Sequence, residues 1–316
     1  MGIVKIKDFE ISKFLNESKH SSFFTQEFIL KKSFSSIDWW GFFKGKELIC
    51  VWPIPITSTG QPSHDYFITY YIGPMWKRPL PDLPEHRSMS VVTSVYNSYM
   101  ETFQKEYKSV MFDLPLGLID VRPFIWQHKN NEKIKSSIEI RYTAVLEIVA
   151  YEKILKSFRQ ERRRELLKIN KKDFEITFNS HDTAKICDFY KNNIKSLNFS
   201  PSRESMLKNF LNMQQEEGVI SIQVTSKRNM KIVGFVLMGI FSDTCNVILN
   251  LCDTNFKWNK SFLPTFLTDQ IIQYACEKGL KTIDFNGANS PGLADSKHSF
   301  GAYPQLYFRI TTQFGY

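Results

Sequence analysis

The sequence has no run of about 18 uncharged apolar residues, so no segment of it reads as a transmembrane helix. Cysteine is scarce: there are five, Cys50, Cys187, Cys245, Cys252 and Cys276, and no pair has C-x-x-C spacing. An odd count without that spacing argues against a disulfide framework and a thiolate zinc site, and for reduced, mostly buried thiols. The six histidines form neither H-x-E nor H-x-x-x-H, so no metal is expected. Acidic residues are in deficit, 32 against 41 Lys and Arg, which leaves a net charge of +9. That balance favours an anionic partner: nucleic acid, a membrane surface or a phosphate-bearing small molecule. The N-terminus, MGIVKIKDFEISKF, has no signal-peptide apolar core and no Ser or Thr at the sixth position for myristoylation. A soluble cytoplasmic protein is the expectation.

Apolar side chains are not lacking. Hydrophobic residues make up 42% of the 316, which argues against disorder and allows a sizeable core, with length suggesting about two domains. Aromatics reach 15%, with 27 Phe, so large flat side chains should fill much of that core. Trp39-Trp40 with Phe42-Phe43 reads as packing of the first half, or as a platform for a nucleotide base.

Residues Trp39 to Ile54 predict a hairpin around Lys44-Gly45-Lys46. Phe23 to Ile29 and Ser88 to Lys105 predict helices; Phe67 to Ile72, Lys108 to Phe112 and Arg141 to Val149 predict strands. From Tyr151 the pattern restarts. A long basic helix to Asn170 is followed by a strand at Phe174 to Phe178 and helices at Thr183 to Ile194 and Arg203 to Gln215. A hairpin of Val219 to Thr225 with Lys231 to Phe241 comes next, then a strand at Asn246 to Cys252. The chain closes with a helix from Phe262 to Lys278 and strands at Lys281 to Phe285 and Gln305 to Thr311. Each half repeats one order: helix, antiparallel hairpin, strand, helix, strand. The fold class is therefore α/β (α+β), with residues 1–150 and 151–316 as two similar lobes and a ligand site between them.

The segment Lys281 to Ala302 is the most pointed. A short strand opens into Asn286-Gly287-Ala288-Asn289-Ser290-Pro291-Gly292 and is followed by Lys297. Such a loop delivers a cation and free N–H groups to an anion, or is a surface turn with a solvated lysine.

At four places the chain resembles the FemAB-type tandem-GNAT acyltransferases. Tyr71-Ile72-Gly73-Pro74 resembles the family's Y-x-x-G-P. Arg141-Tyr142-Thr143 with Leu146-Glu147-Ile148 resembles its "yT-x-x-l-d-l" strand. Arg163, with Leu166, Ile169 and Lys172, resembles its "R-x-x-I-r-x-A-x-k-x-G" helix, although Asp173 stands where the family has Gly. Lys297-His298-Ser299-Phe300-Gly301 resembles its "f-K-x-x-F-G".

The resemblance implies two GNAT-like lobes, each a mixed, mostly antiparallel sheet flanked by helices. It also implies that Arg163 and Lys297 handle substrate phosphates. Tyr71, Asn286 and Asn289 join them as substrate-binding candidates. No tRNA-contacting helical arm is visible, which favours the relatives that acylate a nucleotide-linked (dTDP or UDP) amino sugar from acyl-CoA. Transfer from aminoacyl-tRNA to a peptidoglycan precursor, or nucleotide or RNA binding without catalysis, are the alternatives. Nucleic acid is disfavoured because no basic and aromatic cluster is found.

In such a lobe the acyl-CoA co-substrate would lie beside Leu251, with its phosphates near Lys257, Asn259, Lys260 and Ser261, where a helix begins. Alternatively, that last group is a solvated basic turn. Asp284, His298 and Tyr303 are the candidate acid–base residues, each with a structural reading beside it. The run Arg159 to Arg164 reads as a solvated face with Glu161 and Glu165 as partners, only Arg163 turning inward. No G-x-S-x-G or Cys–His pattern supports a covalent acyl-enzyme.

Overall fold

The computed structural model describes residues 2–18, 21–66, 69–77, 85–180, 182–194, 201–213, 218–253, 255–256 and 262–315. They divide into two units, Met1–Arg141 with Leu306–Tyr316, and Tyr142–Gln305.

The first unit begins with β1 (Gly2–Lys5), α1 (Asp8–Glu17) and α2 (Glu27–Ser33), the last preceded by a 3-10 turn at Phe23–Thr25. The predicted hairpin is β2 (Ser36–Lys44) and β3 (Glu47–Ile56). Next come β4 (Met75–Trp76), α3 (Glu85–Glu106), β5 (Ser109–Asp113), α4 (Arg122–Asn130) and the start of β6 (Ile134–Glu147). Strands β1 to β4 form one antiparallel sheet in sequence order. A second antiparallel pair joins β5 to Arg309–Gln313 near the end of the chain. Thr69–Ile72 form no strand; Phe67 and Ile68, the start of the strand expected there, lie outside the described residues.

Aromatic rings fill this unit. Fully buried Trp52 meets Tyr99 at 5.1 Å, Phe103 at 5.2 Å and Phe112 at 4.5 Å, all edge to face. That geometry brings a ring's positive edge to a neighbour's negative face. The Trp39–Phe43 run is part of the packing: Trp40 and Phe42 are buried against Phe103 and Tyr99.

The second unit takes up the end of β6 and continues with α5 (Tyr151–Ser157), α6 (Gln160–Lys168), β7 (Phe174–Phe178), α7 (Thr183–Asn193) and α8 (Pro201–Asn212). Then come β8 (Val219–Ser226), β9 (Lys231–Phe241), β10 (Thr244–Cys252), α9 (Phe262–Glu277), β11 (Thr282–Asp284), α10 (Pro291–His298) and the start of β12 (Tyr303–Phe314), whose greater part belongs to the first unit. The strand order here is β6-β11-β10-β9-β8-β7. Every pair is antiparallel except β10 with β11. Its core is aliphatic: Val224, Val233, Val236, Leu267, Ile271 and Ile283 are all fully buried. Helix α9 approaches the sheet closely because position 234 is glycine. A Cβ there would lie 2.8 Å from the Leu267 side chain.

Two further elements differ from the expectation. The long basic helix is two helices, broken at Phe158 and Arg159. Phe158 is buried in an extended conformation with its ring 5.1 Å from Phe300, and the Arg159 N–H bonds the Ser299 carbonyl at 2.8 Å. Burying that ring turns the chain out of helix. Lys297 lies on α10 and not in a loop; Pro291 opens that helix at a position where its missing N–H costs nothing. Among the described residues no helix is long and apolar enough to cross a membrane.

Candidate functional site

Strands β10 and β11 pair only over Thr244–Asn246 and Thr282–Asp284. Beyond that they part. Past Asp284 the chain stays with β6: the Phe285 N–H bonds the Ala144 carbonyl at 2.9 Å, and the Ala288 N–H bonds the Tyr142 carbonyl at 2.8 Å. Strand β10 stays with β9 through a bulge between Val247 and Leu249. A bulge bends its strand and shifts which backbone groups face each side. Because the Asp253 N–H bonds the Val233 carbonyl at 2.8 Å, the alternation of an antiparallel ladder turns Asn250 and Cys252 toward the splay. Leu251, the residue expected to meet the donor, has its backbone turned to β9 by the same alternation.

One side chain bridges the splay. Asn286 donates its Nδ2–H to the Val247 carbonyl at 2.7 Å, and its backbone N–H to Asp284 Oδ1 at 2.8 Å. It is buried and left-handed, with φ of +52°. Asn tolerates this conformation better than most residues. Asp284, itself buried, also accepts from the Thr143 hydroxyl, so its carboxylate shapes the loop. Asn289 accepts the Tyr142 N–H at 2.7 Å through its side-chain oxygen, pinning the far end of the loop to β6. Lys297 donates from Nζ to the carbonyls of Asn286 and Gly287, the latter at 2.7 Å. Burial pushes this ammonium down to about 8, against Asp284, which favours its charged form.

His298 donates Nδ1–H to the Ala302 carbonyl at 2.8 Å, since a carbonyl can only accept. In the neutral ring that fixes the tautomer and leaves Nε2 as the basic nitrogen. Tyr303 begins β12 and is 44% exposed. Burial pushes the Cys252 thiol up to about 12, which keeps it out of the nucleophilic thiolate form.

Arg163 is exposed. The neighbouring Arg162 is the arginine of this run that turns inward. Its Nε donates to Ser299 Oγ at 2.9 Å, and its Nη1 to Glu165 Oε2 at 2.9 Å and Thr265 Oγ1 at 3.2 Å. Arg159 pairs at the surface with Asp295 at 2.6 Å. Tyr71 belongs to the core of the first unit. It is buried and left-handed at φ +57°, with its ring 5.0 Å from Tyr307. Lys257, Asn259, Lys260 and Ser261 lie outside the described residues. Sequence reasoning put the donor on the strand Asn246 to Cys252, and missed Arg162, Thr265 and Ser299. The one sequence signal available was Ser290-Pro291, a helix start that would have put Lys297 and His298 on a helix.

No family model matches the chain, and no curated protein matches it in sequence. Solved structures do. FemX is 11% identical over 98% of this chain and 97% of its own, with a TM-score of 0.67. A tandem GNAT protein from the clavulanic acid biosynthesis pathway is 9% identical over 99% and 98%, at 0.59. An acetyltransferase of the GNAT family from Colwellia psychrerythraea is 12% identical over 99% and 100%, at 0.54. At such identities the likeness is one of fold, and the fold is two GNAT-like lobes, each a mixed, mostly antiparallel sheet flanked by helices.

Proposed function

We propose that this chain is an N-acyltransferase that moves an acyl group from acyl-CoA to the amine of a nucleotide-linked (dTDP or UDP) deoxyamino sugar, serving surface-polysaccharide synthesis. The observation that carries the reading is the splay of β10 from β11, with the backbone of Asn250 and Cys252 turned into it. An extended donor arm bearing amide groups fits an unpaired strand edge by completing its ladder. The same N–H groups suit the oxyanion that forms when an amine attacks a thioester carbonyl.

In that reaction the new C–N bond forms as the C–S bond breaks. The amine must give up a proton and the departing thiolate gains from one. His298 is the assigned base, through Nε2, with its ring held by the Ala302 carbonyl. Tyr303 is assigned to return a proton to the thiolate. Asp284 and Asn286 shape the splay and take no proton in this scheme. The net charge of +9 suits an acceptor that carries phosphates, with Arg163, Asn289 and the remaining N–H of Lys297 as its assigned contacts.

The test is thiol release from acetyl-CoA with a panel of dTDP- and UDP-linked amino sugars. Release with at least one acceptor, lost in His298→Ala, is the expected result. No release with any acceptor, together with acyl transfer from aminoacyl-tRNA to a peptidoglycan precursor, would replace this reading with the tRNA-dependent one.

A further inference from the structure

We propose that Arg162 is a positioning residue that sets the first turn of α9 and the end of α10 together, and so couples the donor side of the site to His298. This rests on the acyl-transfer reading above. The three partners of its guanidinium lie on three segments: Glu165 on α6, Thr265 in the first turn of α9, and Ser299 just past His298. All three are buried, at 4%, 0% and 1% exposure. The Thr265 hydroxyl donates to the same Glu165 carboxylate, and Ser299 Oγ donates onward to the Ser296 carbonyl at 2.5 Å. The guanidinium lies 5.5 Å from the Phe300 ring, so a second contact holds it against the joint between α10 and β12.

The chemistry of the hub favours positioning over a solvated surface role. A planar fork with fixed donor directions orients its acceptors; an ammonium on a flexible stem does not. Thr265 lies in the first turn of α9, a helix that packs against β10, the strand at the splay. Ser299 follows Lys297, the clasp of the Asn286 loop, and His298 directly in sequence. One side chain therefore holds both segments at fixed positions relative to α6.

Three variants separate the arms: Thr265→Val removes the α9 contact, Ser299→Ala the α10 contact, and Arg162→Lys keeps the charge but loses the fork. Acetyl-CoA KM, acceptor kcat/KM, the pH–rate profile, melting temperature and amide hydrogen exchange are measured for each. Thr265→Val should raise the acetyl-CoA KM with the acceptor parameters near wild type. Ser299→Ala should lower kcat and displace the limb of the pH profile assigned to His298. Arg162→Lys should do both, with a loss of about tenfold or more in kcat/KM, the scale of a lost charge-assisted hydrogen bond. Its amide exchange should quicken in both the first turn of α9 and Ser299–Gly301.

If Arg162→Lys lowers only the melting temperature, with wild-type KM, kcat and pH profile, the residue is merely structural and the proposal fails. If wild-type protein releases no thiol with any acceptor, the acyl-transfer reading fails, and exchange alone decides the hub. Faster exchange in both segments supports it; a change confined to α6 overturns it.

Discussion

The two units use the same order of elements and fill them with different chemistry. The first is packed with rings around Trp52, and its polar side chains serve that packing. The Tyr99 hydroxyl bonds the Cys50 carbonyl at 2.9 Å and the Trp40 carbonyl at 3.2 Å, and the Trp40 indole N–H bonds the Tyr107 hydroxyl at 2.9 Å. Asp113, fully buried, takes a two-pronged bond from Arg309 at 2.6 and 2.9 Å. The second unit is packed with Val, Ile and Leu. Asp284, Asn286 and Lys297 gather where the sheet comes apart, and Arg162 and Glu165 join α6 to α9 and to the end of α10. β-branched and aliphatic residues suit a sheet buried under a helix. They leave the unit's polar groups free to shape an opening. The difference teaches where to look for function: in the lobe whose hydrogen bonds hold strands apart.

Trp52→Ala tests the ring-packed side most severely. It should cost about 3–5 kcal/mol of unfolding free energy, the range for deleting a buried large aromatic. A urea-denaturation value below that of an aliphatic truncation in the second unit would break the contrast. Asp113→Asn should follow, at about 3 kcal/mol, because it leaves the Arg309 guanidinium without its charged partner. Burial raises the Asp113 carboxyl on balance, Arg309 pulls it back, and Asp113 in turn holds the Arg309 guanidinium in its charged form, so the prediction rests on the guanidinium left behind.

Lys297 gives the pH test of the other side. The folded chain releases this proton near pH 8, the unfolded chain nearer 10.5. Between those values the unfolded state binds more protons, so stability should rise with pH, by at most about 3 kcal/mol. Lys297→Met should flatten that rise, whatever its absolute stability; an unchanged slope would remove Lys297 as its source. Ile271→Val should cost least, about 0.5–1 kcal/mol, as a single methyl lost from the fully buried face of α9. A larger loss in thermal melts would show the aliphatic core to be the less forgiving of the two.

Much of this architecture is legible from periodicity alone. The hairpin of β2 and β3, the helix α9 and the strands β7 to β10 all follow from alternation or from helical spacing. The site is less so, for identifiable reasons. Arg162 and Arg163 are adjacent in a run of charges, and only the phase of α6 says which one turns inward. That phase is set by the break at Phe158, where burial against Phe300 overrides an unbroken helical pattern. The α10 helix is hidden by the Gly, Asn and Pro before it, although Ser290-Pro291 marks its start. The splay depends on where β11 stops pairing, a three-dimensional competition between β6 and β10 for the same chain.

Asn286 has a consequence of another kind. It is followed by Gly287, and an Asn-Gly pair is chemically fragile: the next backbone nitrogen can attack the side-chain amide, lose ammonia and leave an aspartate or isoaspartate. In the folded chain that amide is engaged with the Val247 carbonyl and the residue is buried. The brace that spans the splay is therefore also a clock. Each excursion that opens the strands exposes the pair to ageing, and a brace once converted to a carboxylate would face the Val247 carbonyl with no N–H to offer.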